Sequence, residues 1–487
     1  MKKRCIYYMI SLLTAMGFCS CDSWLDLAPE SSITSASMWK NSSDAEAALT
    51  GAFNRFRSAF NSNYIDWGDY RTGFYANGLS NGAVARGPLW LNQLTPTSQG
   101  TNWSALYTAI NDCNLILKYT PGISFAGEDE KNHILASAYY LRALMYYYIG
   151  RIWGDAPVLI EGFESDNQAG LFPTRQPAND VFSQVEYDLK AALDRVKAGM
   201  GKAPYQVTRE AICMLQADLY LWQAKVNQKG SEAINKADEA VTIVLNSGKT
   251  LDALYETVFR NDACPELIFS IAFIENEFSG GFPSDLLLLV ADVPGPYQNN
   301  PVPVGSAAAQ WVTISSAHKD FLWSTENDSR ANVNISEFTI PDGGRHLTWI
   351  NKYLGTVKSG TRIFDSDIRI YRFAEALLFK AEIEIARNNI PEALTYLNRI
   401  AKRAYGVDDF YSGAYTQAEI ADILVDERLK ELATEGKSWF DLIRTGQVFK
   451  RVETLKGREN EQNILLWPVN NASINTNPAI TQTPGYD

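Results

Sequence analysis

Apolar residues recur at helical spacing in the first and last parts of the chain, whereas the middle lacks this period. In "SSDAEAALTGAFNRFRSAF" the apolar residues from Ala48 to Phe60 fall near one face and follow N-cap candidates at 42–44, which predicts a helix over about 44–60. "NWSALYTAINDCNLILKYT" begins at the cap candidate Asn102 and ends before Pro121, which predicts a second helix. "KNHILASAYYLRALMYYYIGRIWGDAPV" is apolar almost all round, so its helix is predicted to pack on several sides.

Further helices are predicted at about 177–198, 207–226, 231–247, 367–387, 391–404 and 417–435. Residues 260–350 instead carry clusters of Gly, Pro, Asn and Ser with short β-branched or aromatic runs such as "ELIFSIAF". This composition predicts an irregular insertion with a few strands.

A helical repeat is predicted in "AEALLFKAEIEIARNNIPEALTYLNRIAKRA". Ala381 and Ala393 are followed at helical spacing by Leu397 and Ile400, which resembles the packing positions of a tetratricopeptide helix pair. One pair cannot bury its apolar face alone, so neighbouring pairs must stack on it, and residues 207–247 form a looser copy. The predicted fold class is mainly α, a tetratricopeptide-like helical-repeat scaffold with a large loop-rich insertion containing a few short strands.

The N-terminus has the pattern of an export signal. Positive charges at 2–4 precede an apolar stretch, Ile6 to Phe18, that is too short to span a membrane. The following Phe18-Cys19-Ser20-Cys21 resembles a bacterial lipoprotein box, which predicts cleavage after Ser20 and acylation of Cys21. The acyl chains, palmitate among them, would anchor the protein in membrane lipid. A plain signal peptide with incidental cysteines is the alternative.

The predicted organisation places one large domain after the leader. The chain is divided into a signal peptide at 1–20, a lipidated N-terminus and tether at 21–45, and a single domain at 46–487. The domain consists of an N-terminal helical part at 46–250, a loop-rich ligand-side insertion at 251–360, and a C-terminal helical part with closing loops at 361–487.

The net charge bears on possible partners, and the cysteines bear on disulfide bonds. Loss of residues 1–20, which hold three positive and no negative charges, changes the formal net charge from −12 to −15, so nucleic acid is not an expected partner. Beyond Cys21 only Cys113, Cys213 and Cys264 remain, and this odd number with wide spacing implies no disulfide framework. Cys113 and Cys213 lie in helical patterns and are predicted to be buried.

Motifs for several kinds of chemistry are missing from the sequence. The three histidines, His133, His318 and His346, have no zinc-ligand spacing, and neither a GxSxG elbow nor a phosphate-binding loop is present, so no metal or cofactor is predicted. Glycoside hydrolysis needs only two carboxylates, which keeps a hydrolase open, although most acidic residues fall on amphipathic helices and suit a solvated face. A glycan binder and a purely structural repeat protein are the other two classes.

Aromatic residues interleaved with polar ones in the loop-like stretches suggest a sugar-binding surface. A sugar ring packs its apolar face on an aromatic plane while its hydroxyls need polar partners. For each aromatic residue taken alone, packing in the core is the competing interpretation. The predicted ligand-binding candidates are Trp67, Tyr70, Arg71, Asn77, Trp90, Tyr297, Trp311 and Trp323.

Several stretches resemble the SusD/RagB family of outer-membrane lipoproteins of Bacteroidetes. They are the leader with "CDSWLDLAPES", "WSALYTAINDCNLIL", "ASAYYLRALMYYYIGRIWGDAPV", "DIRIYRFAEALLFKAE", "ILVDERLKELATEGKSWFDLIRTG" and the closing "LLWPVNNASINTNPAITQTPGYD". The sequence departs from the family pattern at Val469, Ser438 and Thr483, which lie in scaffold motifs. The matching charged residues are expected to serve the scaffold through hydrogen bonds and ion pairs, namely Arg142, Asp155, Arg372, Glu375, Glu427, Glu435 and Arg444.

The resemblance implies a nutrient-binding lipoprotein rather than an enzyme. Such a protein captures oligosaccharides at the cell surface and delivers them to a SusC-like TonB-dependent outer-membrane transporter. A peptide-binding member of the same family is the alternative, followed by a surface glycoside hydrolase. The family motifs are structural, so they imply no individual ligand-contacting residue.

Overall fold

The computed structural model of the protein describes residues 38–80, 86–275, 277 and 281–486. The predicted signal peptide, the lipidation site Cys21 and most of the predicted tether lie outside the described residues, and their assignments stay predictions. Within the described part of the chain, no helix is both long enough and apolar enough to cross a membrane.

Helices make up about half of the described chain. In chain order they are α1 Ser42–Phe60, α2 Asn63–Gly68, α3 Gly87–Trp90, α4 Ser104–Tyr119, α5 Glu128–Trp153, α6 Ala178–Leu193, α7 Arg209–Lys225, α8 Gly230–Leu245, α9 Thr257–Arg260, α10 Ser316–Leu322, α11 Ala331–Asn334, α12 Phe373–Ala386, α13 Ile390–Tyr405, α14 Gln417–Glu431, α15 Ser438–Arg444, α16 Val448–Arg451 and α17 Asn471–Thr476.

The strands are short and lie mostly between the two helical parts. In chain order they are β1 Tyr75–Asn77, β2 Leu267–Ile271, β3 Leu288–Leu289, β4 Val304–Gly305, β5 Val312–Ile314, β6 Ile335–Thr339, β7 His346–Ile350, β8 Thr356–Lys358, β9 Thr361–Ile363 and β10 Ile368–Arg372. They pair two by two: β1–β5, β2–β10, β6–β7 and β8–β9 are antiparallel, and β3–β4 is parallel.

Neighbouring helices pack as pairs, as the repeat pattern predicts. α5 packs on α6, α7 on α8 and α12 on α13, and the contact of α8 with α12 joins the N-terminal and C-terminal parts. The repeat positions Ala381, Ala393, Leu397 and Ile400 are fully buried. These contacts confirm the predicted fold class. The buried thiols of Cys113 and Cys213 also agree with prediction.

Two hydrophobic clusters support the loop-rich insertion. Strand β2 near its start and strand β10 just after its end belong to the main core, whereas Leu287, Val304, Trp349 and their neighbours form a smaller separate core. The predicted helix over 367–387 begins later than expected, because Ile368–Arg372 is strand β10 and all five of its residues are buried. A short run buried on both faces has no period that separates strand from helix.

The charged residues expected to serve the scaffold all make polar contacts, and all except the exposed Asp155 are buried. Two nitrogens of the Arg142 guanidinium donate to the carboxylate of Asp188 at 2.8 and 2.6 Å. Arg372 donates to Glu435 at 2.8 Å and to Glu266 at 2.7 Å. The other contacts are Arg330 to Glu427 at 2.8 Å, Arg428 to Glu375 at 3.2 Å, Arg444 to Glu382 at 3.0 Å, and the Ala178 backbone N–H to Asp155 at 2.8 Å.

Candidate functional site

The structure corrects the placement of three predicted ligand-binding residues. Trp67, Tyr70 and Arg71 lie in the core rather than on a loop surface, with exposed fractions of 0%, 2% and 0%. The Trp67 indole packs against Trp153 with ring centres 5.8 Å apart and donates to the Gly100 carbonyl at 2.8 Å. Side chains enclosed in this way have no face left for a ligand.

Arg71 has a structural role that its sequence context does not reveal. Its guanidinium donates to Asn92 Oδ1 at 2.9 Å and to the carbonyl oxygens of residues 464–466 at 2.5 to 3.1 Å. The Trp439 ring lies 4.3 Å from its Cζ atom. Burial lowers the pKa of Arg71 to about 10, and among the described residues no carboxylate forms an ion pair with its guanidinium. Arg71 therefore fastens the C-terminal segment to the core.

Asn77, Trp90 and Trp311 are brought together by strand pairing. Asn77 ends β1 opposite Val312 of β5, and the Gly78 N–H donates to the Trp311 carbonyl at 3.1 Å. Trp90 ends α3, which packs against β1. Asn77 is exposed, and both indoles are half-buried.

Arg86 connects these elements and was not predicted from the sequence. It directly precedes α3, and its Cζ atom lies 5.7 Å from the centre of the Trp311 ring. We call Asn77, Arg86, Trp90 and Trp311 the Trp311 surface. In the sequence, "VARGPLW" shows an arginine among apolar residues, but it does not show the partners of Arg86, which are distant in the chain.

Two carboxylates hold Arg86 in place. The guanidinium donates to Asp285 at 2.7 Å and to Asp66 at 3.3 Å. Burial disfavours the charged form of Arg86, but its attraction to Asp66 and the other neighbouring acidic groups is the larger effect and raises the pKa of the guanidinium. Burial also raises the pKa of Asp66 to about 6, although Arg86 opposes this shift. The fixed cation beneath Trp311 orients one face of the indole.

The remaining two candidates occupy other parts of the insertion. Trp323 follows α10, lies 5.0 Å from the Lys319 ammonium, and donates from Nε1 to the Ala331 carbonyl at 3.3 Å. Tyr297 packs on Phe338 in the smaller core, with ring centres 5.2 Å apart. Among the described residues, no ring contact joins either side chain to Trp311.

The described part of the chain contains no candidate metal site. Within 38–80, 86–275, 277 and 281–486, no group of three or more His, Cys, Asp and Glu side chains is placed to hold a metal ion. The Trp311 surface offers two half-buried indoles and an exposed amide, and the compensated cation of Arg86 is buried beside them. These groups suit a ligand with an apolar face and several hydroxyls.

Comparison with known families agrees with this architecture. Residues 343–486 match the model of the SusD family, and residues 24–221 match a family described as starch-binding and associating with the outer membrane. The chain belongs to the SusD family.

Similar proteins cover nearly the whole chain of this SusD family member. SusD-like protein P38 of Formosa agariphila is 25% identical, and the alignment covers 96% of each chain. SusD-like protein P25 of the same organism is 24% identical over 90% of this chain and 89% of its own. A SusD-like protein of Bacteroides ovatus is 27% identical over 52% of this chain and 46% of its own.

Solved structures share the fold at low sequence identity. B. fragilis NanU superimposes with a TM-score of 0.78 at 24% identity, covering 95% of this chain and 100% of its own. A SusD superfamily protein from Bacteroides vulgatus gives a TM-score of 0.79 at 23% identity, with 92% and 100% covered. These likenesses confirm the fold, and they do not identify a ligand.

Proposed function

We propose that the protein is a non-catalytic, cell-surface nutrient-binding lipoprotein that captures oligosaccharides on the Trp311 surface. The observation that carries the proposal is the half-buried Trp311 indole fixed over Arg86, with Trp90 and the exposed Asn77 on neighbouring elements. The family description as starch-binding supports the ligand class. A peptide-binding role is the second candidate from the sequence, and no contact at this surface favours it.

The charge arrangement favours binding over hydrolysis. A glycoside hydrolase needs one carboxylic acid and one carboxylate on opposite sides of the scissile bond. Two acidic groups at the Trp311 surface, Asp66 and Asp285, are both bound to Arg86, and Asp66 is fully buried. Carboxylates held in this way orient the cation instead of reaching a substrate.

Affinity gel electrophoresis tests the proposed site. Wild-type protein is run through gels containing soluble starch, pullulan, dextran or laminarin, and released reducing ends are measured in parallel. We expect retardation by at least one polysaccharide with no release of reducing ends. Trp311→Ala should weaken binding by about 1 to 3 kcal/mol, as expected for an interface anchor. Tyr205→Ala, which removes an exposed aromatic ring outside this surface, is the matched control.

A second variant separates loss of binding from loss of folding. Trp311 packs partly against the core, so its removal can lower stability. Asn77 is exposed, and Asn77→Ala should weaken binding while the melting temperature stays unchanged. If both variants bind as the wild type does, the site is wrong. Release of reducing ends that persists through purification would support the hydrolase instead.

Anchoring and delivery are further parts of the proposal. Acylation of Cys21 would hold the protein in the outer membrane, and delivery would need a SusC-like TonB-dependent transporter. Cys21→Ala should abolish palmitate labelling and membrane fractionation, whereas Cys19→Ala should preserve both. A pull-down from detergent-solubilised outer membranes should recover a large transporter in stoichiometric amount. Recovery of the lipoprotein alone would oppose a stable complex.

A further inference from the structure

A second cleft lies on the helical scaffold, on elements that do not contribute to the Trp311 surface. It opens between α4, α5, α6 and the loop at 159–168, and its volume is about 620 Å³. This volume falls within the range of about 300 to 1,000 Å³ that is typical of small-molecule sites. We call it the Tyr187 cleft, and its main side chains are Lys118, Tyr139, Glu161, Gln168, Gln184 and Tyr187.

The walls of the Tyr187 cleft are held in place by side-chain hydrogen bonds. Asn114 Nδ2 donates to the carbonyl oxygens of Leu159 and Glu161 at 3.0 and 3.1 Å. Asn111 donates to the Phe163 carbonyl at 3.0 Å and accepts from its N–H at 2.7 Å. A loop fixed at several points along its backbone forms a wall before any ligand arrives, which reduces the ordering cost of binding.

Two tyrosines supply aromatic surface to the cleft. The Tyr187 side chain is 61% exposed although it lines a concave site. Tyr139 is half-buried, and its ring lies 5.6 Å from the Arg142 guanidinium and 5.1 Å from that of Arg195. Within the described part of the chain, neither phenolic hydroxyl has a hydrogen-bond partner, so both can bind a ligand. Gln184 lies one turn before Tyr187, on the same face of α6.

The charges of the cleft are mostly compensated. Arg142 at its floor is neutralised by Asp188, and Lys118 at its rim pairs with Glu164. Gln184 Nε2 donates to Asp188 at 2.9 Å, and its own carbonyl oxygen has no partner among the described residues. The carboxylate of Glu161 likewise makes no ion pair in the part of the chain that is described. A cleft of this kind does not select an anion, and it provides acceptors for hydroxyl groups.

We propose that the Tyr187 cleft is a second carbohydrate site, which binds a neutral sugar unit by stacking on Tyr187 and by hydrogen bonds to Glu161 and Gln184. This inference rests on the proposed function for its ligand class, but not on the Trp311 surface for its location. Two separate sites on one protein hold a long glycan more tightly than either site alone, because the second contact becomes intramolecular.

Affinity gels with soluble starch, pullulan, dextran and laminarin test the second site. Tyr187→Ala should reduce retardation by the bound polysaccharide about five- to tenfold, the effect of losing one aromatic anchor. Tyr187→Phe keeps the ring and should retain most of the binding. Tyr205→Ala, at a ring 51% exposed and outside the cleft, should bind like the wild type. Melting temperatures are measured for every variant, and we expect removal of an exposed ring to leave the melting temperature unchanged.

The outcomes separate this inference from the proposed function. If Tyr187→Ala retains wild-type retardation while Trp311→Ala loses it, the second site is overturned and the proposed function stands. If Tyr187→Ala loses retardation while Trp311→Ala and Asn77→Ala both retain it, the cleft is supported and the Trp311 surface is refuted. If the wild-type protein is retarded by none of these neutral polysaccharides, both proposals are overturned.

Discussion

His318 is buried between two phenylalanine rings and is expected to make the protein less stable in mild acid. Its imidazole stacks on Phe74, with ring centres 4.0 Å apart and planes 2° apart, and lies 5.5 Å from the ring of Phe321. Burial disfavours the imidazolium and lowers the pKa of His318 from 6.5 to about 3. The folded protein therefore keeps this ring neutral at pH 5.

The size of the effect follows from proton linkage. In the unfolded chain the same side chain takes up a proton as the pH falls through about 6.5. The unfolded state then binds more protons than the folded state, so the free energy of unfolding decreases as the pH falls. Between pH 7.5 and pH 5.0 this single group contributes a loss of about 2 kcal/mol. Any folded-state pKa below about 4 leaves this value nearly unchanged, because the folded group is then neutral at both pH values.

Urea denaturation of wild type and His318→Phe at the two pH values measures this loss. The phenyl ring keeps the stack but cannot take up a proton, so the variant should lose about 2 kcal/mol less than wild type on acidification. His346→Gln is the control, because the His346 side chain is 49% exposed and lies outside the stack of Phe74, His318 and Phe321. An equal loss of stability in wild type and His318→Phe would refute the reasoning. So would a His318 ring that titrates near pH 6.5 by NMR.

Three further predictions concern the scaffold, and each is measured by chemical denaturation. Arg71→Lys should lower the free energy of unfolding by about 3 kcal/mol, because an ammonium group cannot replace a guanidinium fork that donates to four oxygen atoms. A loss below about 0.5 kcal/mol would contradict this prediction. Gly68→Ala should fail to fold normally, since a methyl group would overlap the Gly436 carbonyl, whereas Gly51→Ala has open space in α1 and should gain up to about 1 kcal/mol. Equal behaviour of the two glycine variants would be inconsistent with this packing. Arg372→Met should cost about 3 to 5 kcal/mol by leaving buried carboxylates uncompensated, and a neutral outcome would show that the network relaxes.

Helical periodicity predicts helices that bury one stripe, such as α1, whereas the long apolar run of α5 predicts a helix that is buried on several sides. The expected helix at 44–60 is observed at Ser42–Phe60, and the one at 207–226 at Arg209–Lys225. Periodicity does not predict strand β10, because its five residues are buried on both faces and its partner β2 lies about 100 residues earlier. Pairing over that distance depends on tertiary packing, which local pattern does not encode.

Sequence context predicts less of the candidate site, because burial depends on residues far away in the chain. Trp67 and Trp311 both occur in loop-like stretches with small polar neighbours. Trp67 is enclosed by Tyr148 and Trp153, whose ring centres lie 6.3 and 5.8 Å from its own, whereas Trp311 keeps part of its surface free. Arg86 was missed for the same reason, since its partner Asp285 is 199 residues away.

A chain of contacts connects the buried charges of the scaffold with the backbone next to Trp311. Lys352 follows β7, and its ammonium donates to Glu435 at 2.9 Å and to the Ala433 carbonyl at 2.5 Å, although burial lowers its pKa to about 8. Within β7 the Thr348 carbonyl accepts from Gln310 Nε2 at 2.5 Å, and Gln310 directly precedes Trp311. The ion network therefore fixes one end of β7, and β7 in turn fixes the backbone before the indole. We therefore expect a change at Glu435 to displace Trp311, and with it the proposed binding surface, whereas side chains on the surface can change without disturbing the core.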